Sequence, residues 1–284
     1  MITNEGKLAI KRFLALYVPY IAQSMAVGIG TATEAGTDIA LQLQVAQSPI
    51  TGISYDFVNN QLIFKASIPD EYVGSIYEVG LFTLPEDPNS VGGSNTITTF
   101  DSETEEWTNT GTGAASTYDS TNTRIGIDSL TQTPALSATQ TDHLTGLTTD
   151  LSDNSSADSF TFAFNVTNAN TNAITVRFLT DGSNYYSFAM GSGVQTSGYK
   201  FITATKGSAT VNGSPNWNNI TEIQVLTTSK SSGASLVEFD AIRLEDKDSL
   251  NLDYVLVARK VLSTPQTKIE GQAQDIEFAL DVTV

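Results

Sequence analysis

The chain opens on a helical spacing. In ITNEGKLAIKRFLALYVP, Ile10, Phe13, Leu14 and Tyr17 recur at intervals of three and four. Leu8, Lys11, Arg12 and Ala15 fall on other faces. Thr3 or Asn4 stands where a cap is needed, and Pro19 ends the run or follows its end. The pattern then changes to strands. Ser24–Ala32 (SMAVGIGTA) reads as a buried strand with glycines at close backbone approaches. GTATEAGTD reads as a loop, and Thr37 or Asp38 could cap a short helix through IALQLQV. Three strands follow: SPITGISYDFV, QLIFKASI and VGSIYEVGLFT, with a tight turn at Asn59–Asn60 and a break at Pro69.

That third strand stops, and the stretch after Leu84 is rich in Pro, Gly, Asn and Ser. Much later DYVLVARKVL resumes the same kind of strand. DIEFALDVTV then closes the chain, alternating Ile276, Phe278, Leu280 and Val282 with Glu277, Ala279, Asp281 and Thr283. Between Thr96 and Lys247 the texture differs. Strands are shorter, Thr and Ser rise, and turns recur, as in SFTFAFNVTN, the AITVRFLT–DGSN–YYSFAMGSG hairpin, YKFITATKG, ITEIQVLTTS and LVEFDAIRLED. Short, regularly spaced strands with polar turns predict an antiparallel sandwich. The expected fold is therefore mainly β: a small α+β module, residues 1–95 plus 248–284, interrupted by an inserted jelly-roll β-sandwich, residues 96–247.

Composition narrows the function. Against 14 basic residues stand 31 acidic ones, a net charge of −17. Such a chain repels phosphate backbones and anionic membrane surfaces, so neither nucleic acid nor membrane is an expected partner. There are no cysteines and one histidine, His143, which excludes thiolate metal sites and argues against a histidine-based catalytic apparatus. The N-terminus lacks a charged region followed by an apolar core, so no signal peptide is read there.

The outer segments resemble a family of bacteriophage tail-fibre and collar N-terminal domains. The resemblance rests on an ordered set: TNEGKLAIKRFLA, then IAQSMAVGIGTATEAGTDIALQLQV, then ISYDFVNNQLIFKASIPDEYVGSIYEVGLFT with its E-x-G-L-F, then LVARKVL and DIEFALDVTV. It implies a non-enzymatic virion protein of the tail, neck or baseplate that contacts other virion proteins and forms a homo-oligomer, with a trimer the first expectation. The inserted piece resembles the jelly-roll sandwiches of carbohydrate-binding modules, on TFDSETEEWTNTG, WNNITEIQV and VEFDAIRLED. That resemblance implies a structural calcium ion between first and last strands, with Asp101 and Asp240 at the matching positions, and contact with a host-surface glycan. A soluble carbohydrate-binding protein and a capsid decoration protein are the alternatives.

Other chemistry-bearing residues read more plainly. His143 in TQTDHLTG is expected in a polar loop, with no second histidine or nucleophile elbow to make a triad. Glu105 and Glu106 are adjacent, which does not place two carboxylates across a cleft, so solvated turn residues are expected. In MAVGIGTATEAG the glycines are expected to be structural, since Glu34 would oppose a bound anion. Trp107 and Trp217 are expected in the core. Tyr185 and Tyr186 are adjacent on a strand, so one must face outward, where it could meet a sugar.

Overall fold

A computed structural model describes residues 1–15, 20–69, 72–84, 96–111, 115–245, 255–269 and 271–281. The Pro- and Gly-rich stretch after Leu84, the end of the expected helix at residues 16–19, and residues 282–284 lie outside the described residues. The chain forms two compact units: Met1–Asn95 with Ser249–Val284, and Thr96–Asp248. In chain order, the first unit holds α1 (Asn4–Leu14), β1 (Ser24–Gly28), β2 (Gln44–Pro49), β3 (Gly52–Asp56), β4 (Gln61–Ile68), β5 (Gly74–Phe82), β18 (Leu256–Lys268) and β19 (Gln274–Asp281). The second holds β6 (Thr96–Thr98), β7 (Thr108–Gly111), β8 (Thr117–Asp119), β9 (Ser129–Gln132), β10 (Thr139–Thr149), β11 (Ser159–Val166), β12 (Thr171–Asp181), β13 (Asn184–Ala189), β14 (Gly198–Thr205), β15 (Thr210–Asn212), β16 (Ile220–Ser229) and β17 (Val237–Glu245).

In the first unit a four-stranded sheet, β18-β5-β1-β2, packs on a three-stranded sheet, β19-β4-β3. Their facing apolar residues form one core that includes Val27, Phe64, Val79, Leu81, Val257 and Phe278. The interrupted strand resumes beside the place it stopped. Leu256 of β18 pairs with Phe82 of β5, the Thr83 N–H donates to the Val255 carbonyl at 3.1 Å, and the Val255 N–H donates to Thr83 Oγ1 at 2.8 Å. Everything between is thus a connection whose two ends meet within one sheet.

A buried ion pair locks this junction. Glu78 on β5 is fully buried, and its carboxylate accepts from Gly30 N (3.0 Å), Leu43 N (3.1 Å), Gln42 N (3.2 Å) and Arg259 Nε (2.7 Å). Arg259 on β18 also donates to Asp38 at 2.9 Å. Removing one member of such a pair would leave the other charge buried and unpaired, at a cost of about 3–5 kcal/mol. Those bonds also explain a departure from expectation. The backbone of Gln42 and Leu43 turns its N–H groups on Glu78 instead of closing a helical turn, so IALQLQV is irregular and then enters β2. SPITGISYDFV is likewise not one strand, because β2 and β3 belong to different sheets.

Helix α1 starts as its sequence says: the Gly6 N–H donates to Thr3 Oγ1 at 2.8 Å. Its buried face is set by small residues. A Cβ on Gly6 would sit 1.9 Å from the Val257 carbonyl oxygen, so only glycine lets the helix lie on β18. Gly6 and Ala9 are buried, whereas Leu14 is 72% exposed, against the apolar face expected for it.

The second unit is an antiparallel sandwich of jelly-roll type. A six-stranded sheet, β15-β13-β12-β16-β10-β7, faces β14-β11-β17-β9-β8, with β6 also paired to β17. Phe160, Phe162 and Phe164 project from alternate positions of β11 and meet Phe178 and Phe188 across the gap, with Phe160 4.9 and 5.1 Å from those rings. Trp107 is buried and stacks on Phe100 at 4.6 Å. Trp217 packs half-buried against the same core. His143 is not in a loop. It sits on β10, whose inward positions include the buried polar residues Gln140 and Asp142, so apolar alternation there is masked. Within the core Gln140 Nε2 donates to Asp142 at 3.2 Å, and Gln132 donates to Asp142 and to the Val225 carbonyl.

Replacing residues 85–250 by a short Gly/Ser turn is expected to leave a module that melts cooperatively, because Thr83 and Val255 are already hydrogen-bonded neighbours. The excised Thr96–Asp248 is expected to melt as a unit of its own. Circular dichroism of the two proteins checks both, and loss of cooperative melting in both would contradict the two-unit architecture.

Candidate functional site

The two faces of the sandwich that point away from its core differ. Over the sheet containing β17, the loop following β8 is pulled down onto the outward side chains. Asn122 Nδ2 donates to Glu238 at 2.9 Å, and the Arg124 and Ile125 N–H groups donate to Asp240 at 2.8 and 3.1 Å. The Arg124 guanidinium lies 3.7 Å from the centre of the Tyr199 ring. Tyr199 also donates its hydroxyl to Asp240.

Asp101 holds the other end of this loop. Its carboxylate accepts from Ile127 N at 2.9 Å and Glu103 N at 3.0 Å. Gly126 takes a φ of +72° there, and a Cβ on it would fall 2.0 Å from Asp101 Oδ2. The structure therefore brings Asp101 and Asp240 to one loop, as anchors for its N–H groups. Calcium requires six to eight oxygens with free lone pairs turned inward. Here each of the four carboxylate oxygens already faces an N–H or O–H donor. Among the described residues no group of three histidines, cysteines or acids gathers to hold a metal. Both carboxylates are thus bonded to donors of this loop and of Tyr199. Glu105, expected as a solvated turn residue, also gathers donors instead: it accepts from Thr99 N (3.0 Å), Phe100 N (3.1 Å) and Trp107 Nε1 (2.9 Å).

The outward face of the six-stranded sheet has no such loop bonded across its central strands among the described residues. Pairing register lines up its side chains. Ser187, Arg177, Gln224, His143 and Thr108 lie in one row across β13, β12, β16, β10 and β7. Tyr185, Leu179, Glu222 and Thr145 form the next. The central residues are bound to one another. Glu222 accepts from Gln224 Nε2 at 2.8 Å and pairs with His143 Nδ1, while His143 Nε2 meets the Thr110 hydroxyl. The His143 and Glu222 side chains are 17% and 20% exposed. Arg177 stacks 4.7 Å from the centre of the Tyr185 ring, and its Nε is buried with no hydrogen-bond partner.

The adjacent tyrosines therefore separate. Tyr185 belongs to this outward face. Tyr186 turns inward, stacks on Trp217 at 3.8 Å with the rings 5° apart, and donates to the Pro215 carbonyl at 2.9 Å. Burial raises the Tyr186 hydroxyl above its ordinary range. Arg177, His143, Glu222 and Gln224 have no sequence motif. Alternation along ITEIQVLTTS marked Glu222 and Gln224 as one face, but not which face stays open.

The fold and site together define a β-sandwich with one outward face bonded under a loop and the other polar and aromatic-bearing. No family profile matches the chain, and no curated protein matches it. Among solved structures, it is similar to the family 11 carbohydrate-binding module of a cellulosomal cellulase from Clostridium thermocellum, at 11% identity over 55% of this chain and 95% of that one, with a TM-score of 0.40. It is also similar to the glycoside hydrolase domain of Endo-D from Streptococcus pneumoniae, at 13% identity over 50% of this chain, TM-score 0.35. The enzymatically active domain of tailspike protein 4 from bacteriophage CBA120 is similar at 15% identity over 55% of this chain, TM-score 0.32. The chain spans only 22% and 21% of those last two proteins. Likenesses this distant leave function to be argued from the residues.

Asp240 gives the closed face a pH signature. Burial pushes its carboxyl up to about 6, against the hydrogen bonds from Tyr199, Arg124 and Ile125, which lower it. A raised folded value means that the folded state binds the proton more tightly. The stabilisation is full below the ordinary value near 3.8 and is lost as pH rises through about 6. Between pH 7 and pH 4, the wild type is expected to gain about 2 kcal/mol over Asp240→Asn. Melting curves followed by tryptophan fluorescence measure this, since both tryptophans are in the sandwich. Chelation of divalent ions is expected to leave the wild-type melting temperature unchanged.

Proposed function

We propose that this chain is a non-enzymatic carbohydrate-contacting protein, and that the outward face of its six-stranded sheet is the contact surface. The observation that carries the reading is the in-register patch of Tyr185, Arg177, Glu222, Gln224 and His143. Sugars present C–H faces that pack on an aromatic ring and hydroxyls that bond to planar polar groups. Tyr185 supplies the ring, with the Arg177 guanidinium 4.7 Å from its centre. Gln224, Glu222 and His143 supply donors and acceptors whose positions are fixed by their mutual bonds, so little side-chain freedom is lost on binding. The net charge of −17 favours a neutral glycan over an acidic one.

Binding without cleavage suits the same residues. Hydrolysis of a glycosidic bond uses two carboxylates across the scissile linkage. Glu222 is the carboxylate of the central rows, and it is engaged by His143 and Gln224.

The setting we propose is a bacteriophage virion, as a structural protein of the tail, neck or baseplate. Its support is the ordered resemblance of the outer segments to tail-fibre and collar N-terminal domains. In this reading the α+β unit attaches to other virion proteins, and the sandwich meets the host-surface glycan.

A glycan array probed with the full chain is expected to show selective binding to a neutral oligosaccharide. Tyr185→Ala and Arg177→Ala should each weaken it at least about tenfold with the fold intact. Tyr186→Ala should instead lower the melting temperature. An array with no selective binder would leave the sandwich as a structural spacer and end the carbohydrate reading.

A further inference from the structure

The three-stranded sheet of the α+β unit has two edges of opposite character. On the β3 side the β3–β4 hairpin carries large apolar side chains in the open. Ile53 is 52% exposed, Phe57 84% and Val58 89%. The hairpin is firmly built. Asp56 accepts from Val58 N at 2.8 Å and Asn59 N at 3.2 Å, and the Tyr55 hydroxyl donates to Asn60 at 2.9 Å. The Tyr55 and Phe57 rings meet edge to face at 4.8 Å. A rigid tip therefore holds Phe57 and Val58 in water, where a lone protein gains nothing from them.

On the β19 side the molecule is concave. A groove of about 650 Å³ runs between β18 and β19, with Leu262, Phe278 and Leu280 in its lining beside the charged Lys7, Lys260 and Glu277. Both strands that flank it are edges of their sheets. Edges left with unpaired N–H and C=O groups are templates for another strand.

We propose that these two features are halves of one interface: the β3–β4 hairpin of one copy docks on the β19 edge of a second copy. In that arrangement β3 extends the neighbour's three-stranded sheet, and Phe57 and Val58 enter its groove. The occupant is a second copy because every chain carries both halves, a convex apolar tip and a concave apolar groove, on opposite edges of one sheet. Main-chain bonds along the edge supply affinity, and the groove supplies register. Tip and groove are different surfaces, so the contact is head-to-tail, and copies add as a closed ring or an open chain instead of pairing face to face. This surface is independent of the carbohydrate face and stands or falls separately.

Sedimentation velocity of the full chain from low to high micromolar is the test. The wild type is expected to be oligomeric. Phe57→Asp should abolish the tip, and Leu262→Glu the groove, each weakening self-association by at least about 100-fold. Val58→Asp is a second tip variant, at a position too exposed to matter for folding, and circular dichroism melts control for all three. The decisive measurement mixes Phe57→Asp with Leu262→Glu. Each retains the half the other lacks, so the mixture should form one-to-one pairs while neither variant self-associates. A monomeric wild type at high micromolar, a Phe57→Asp protein that stays oligomeric, or a mixture that stays monomeric would each overturn the proposal.

Discussion

One buried carboxylate organises the α+β unit. Glu78 reaches three distant parts of the chain at once: the loop after β1 through Gly30, the segment before β2 through Gln42 and Leu43, and β18 through Arg259. A charge taken out of water is tolerable only when each of its lone pairs finds a donor, and here four do so. The same bonds bring together β5 and β18, which precede and follow the inserted sandwich in the sequence. The insert is accommodated because the sheet is closed by side chains that do not belong to it, and a longer connection adds little further entropy to a closure already made.

The sandwich solves a different problem. Its two sheets share an aromatic core, but each also has an outward face, and among the described residues a loop is bonded across one of these. The loop after β8 closes one face because Asp101, Glu238 and Asp240 give its N–H groups somewhere to go. Those bonds join strand positions that are far apart in the sequence. The open face, by contrast, keeps its polar groups bonded sideways, His143 to Glu222 and Glu222 to Gln224. Side chains that hold one another in place give a surface that is polar yet ordered, which is what recognition of a hydroxyl-rich ligand requires.

Much of the fold could be read from periodicity. Helix α1, the β3–β4 turn, the β12–β13 hairpin and β19 all have local spacings that one element type alone satisfies. The errors have common causes. IALQLQV reads as a helix because Leu, Gln and Ala favour one, but a carboxylate from β5 captured its N–H groups. TQTDHLTG reads as a loop because the inward positions of β10 include Gln140 and Asp142, buried polar residues of which Asp142 accepts from Gln132 on another strand and from Gln140, while Gln140 accepts from Thr133 N. Asp101 and Asp240 stood out as a pair only through the resemblance, and the donors they meet did not stand out at all, because those lie on a loop without a motif.

The sequence by itself determined the strand content, the interruption of β5, the acidic charge and the need for one of Tyr185 and Tyr186 to face outward. These follow from local spacing and composition, which need no knowledge of distant neighbours. Tertiary structure alone decided that Tyr185 is the outward one, that Arg177, His143, Glu222 and Gln224 share its face, and that the opposite face is closed. The reason is register. Residues brought level across five strands are far apart in sequence, and hydrogen-bonded pairing of whole strands, not the preference of any one of them, sets which side chains meet.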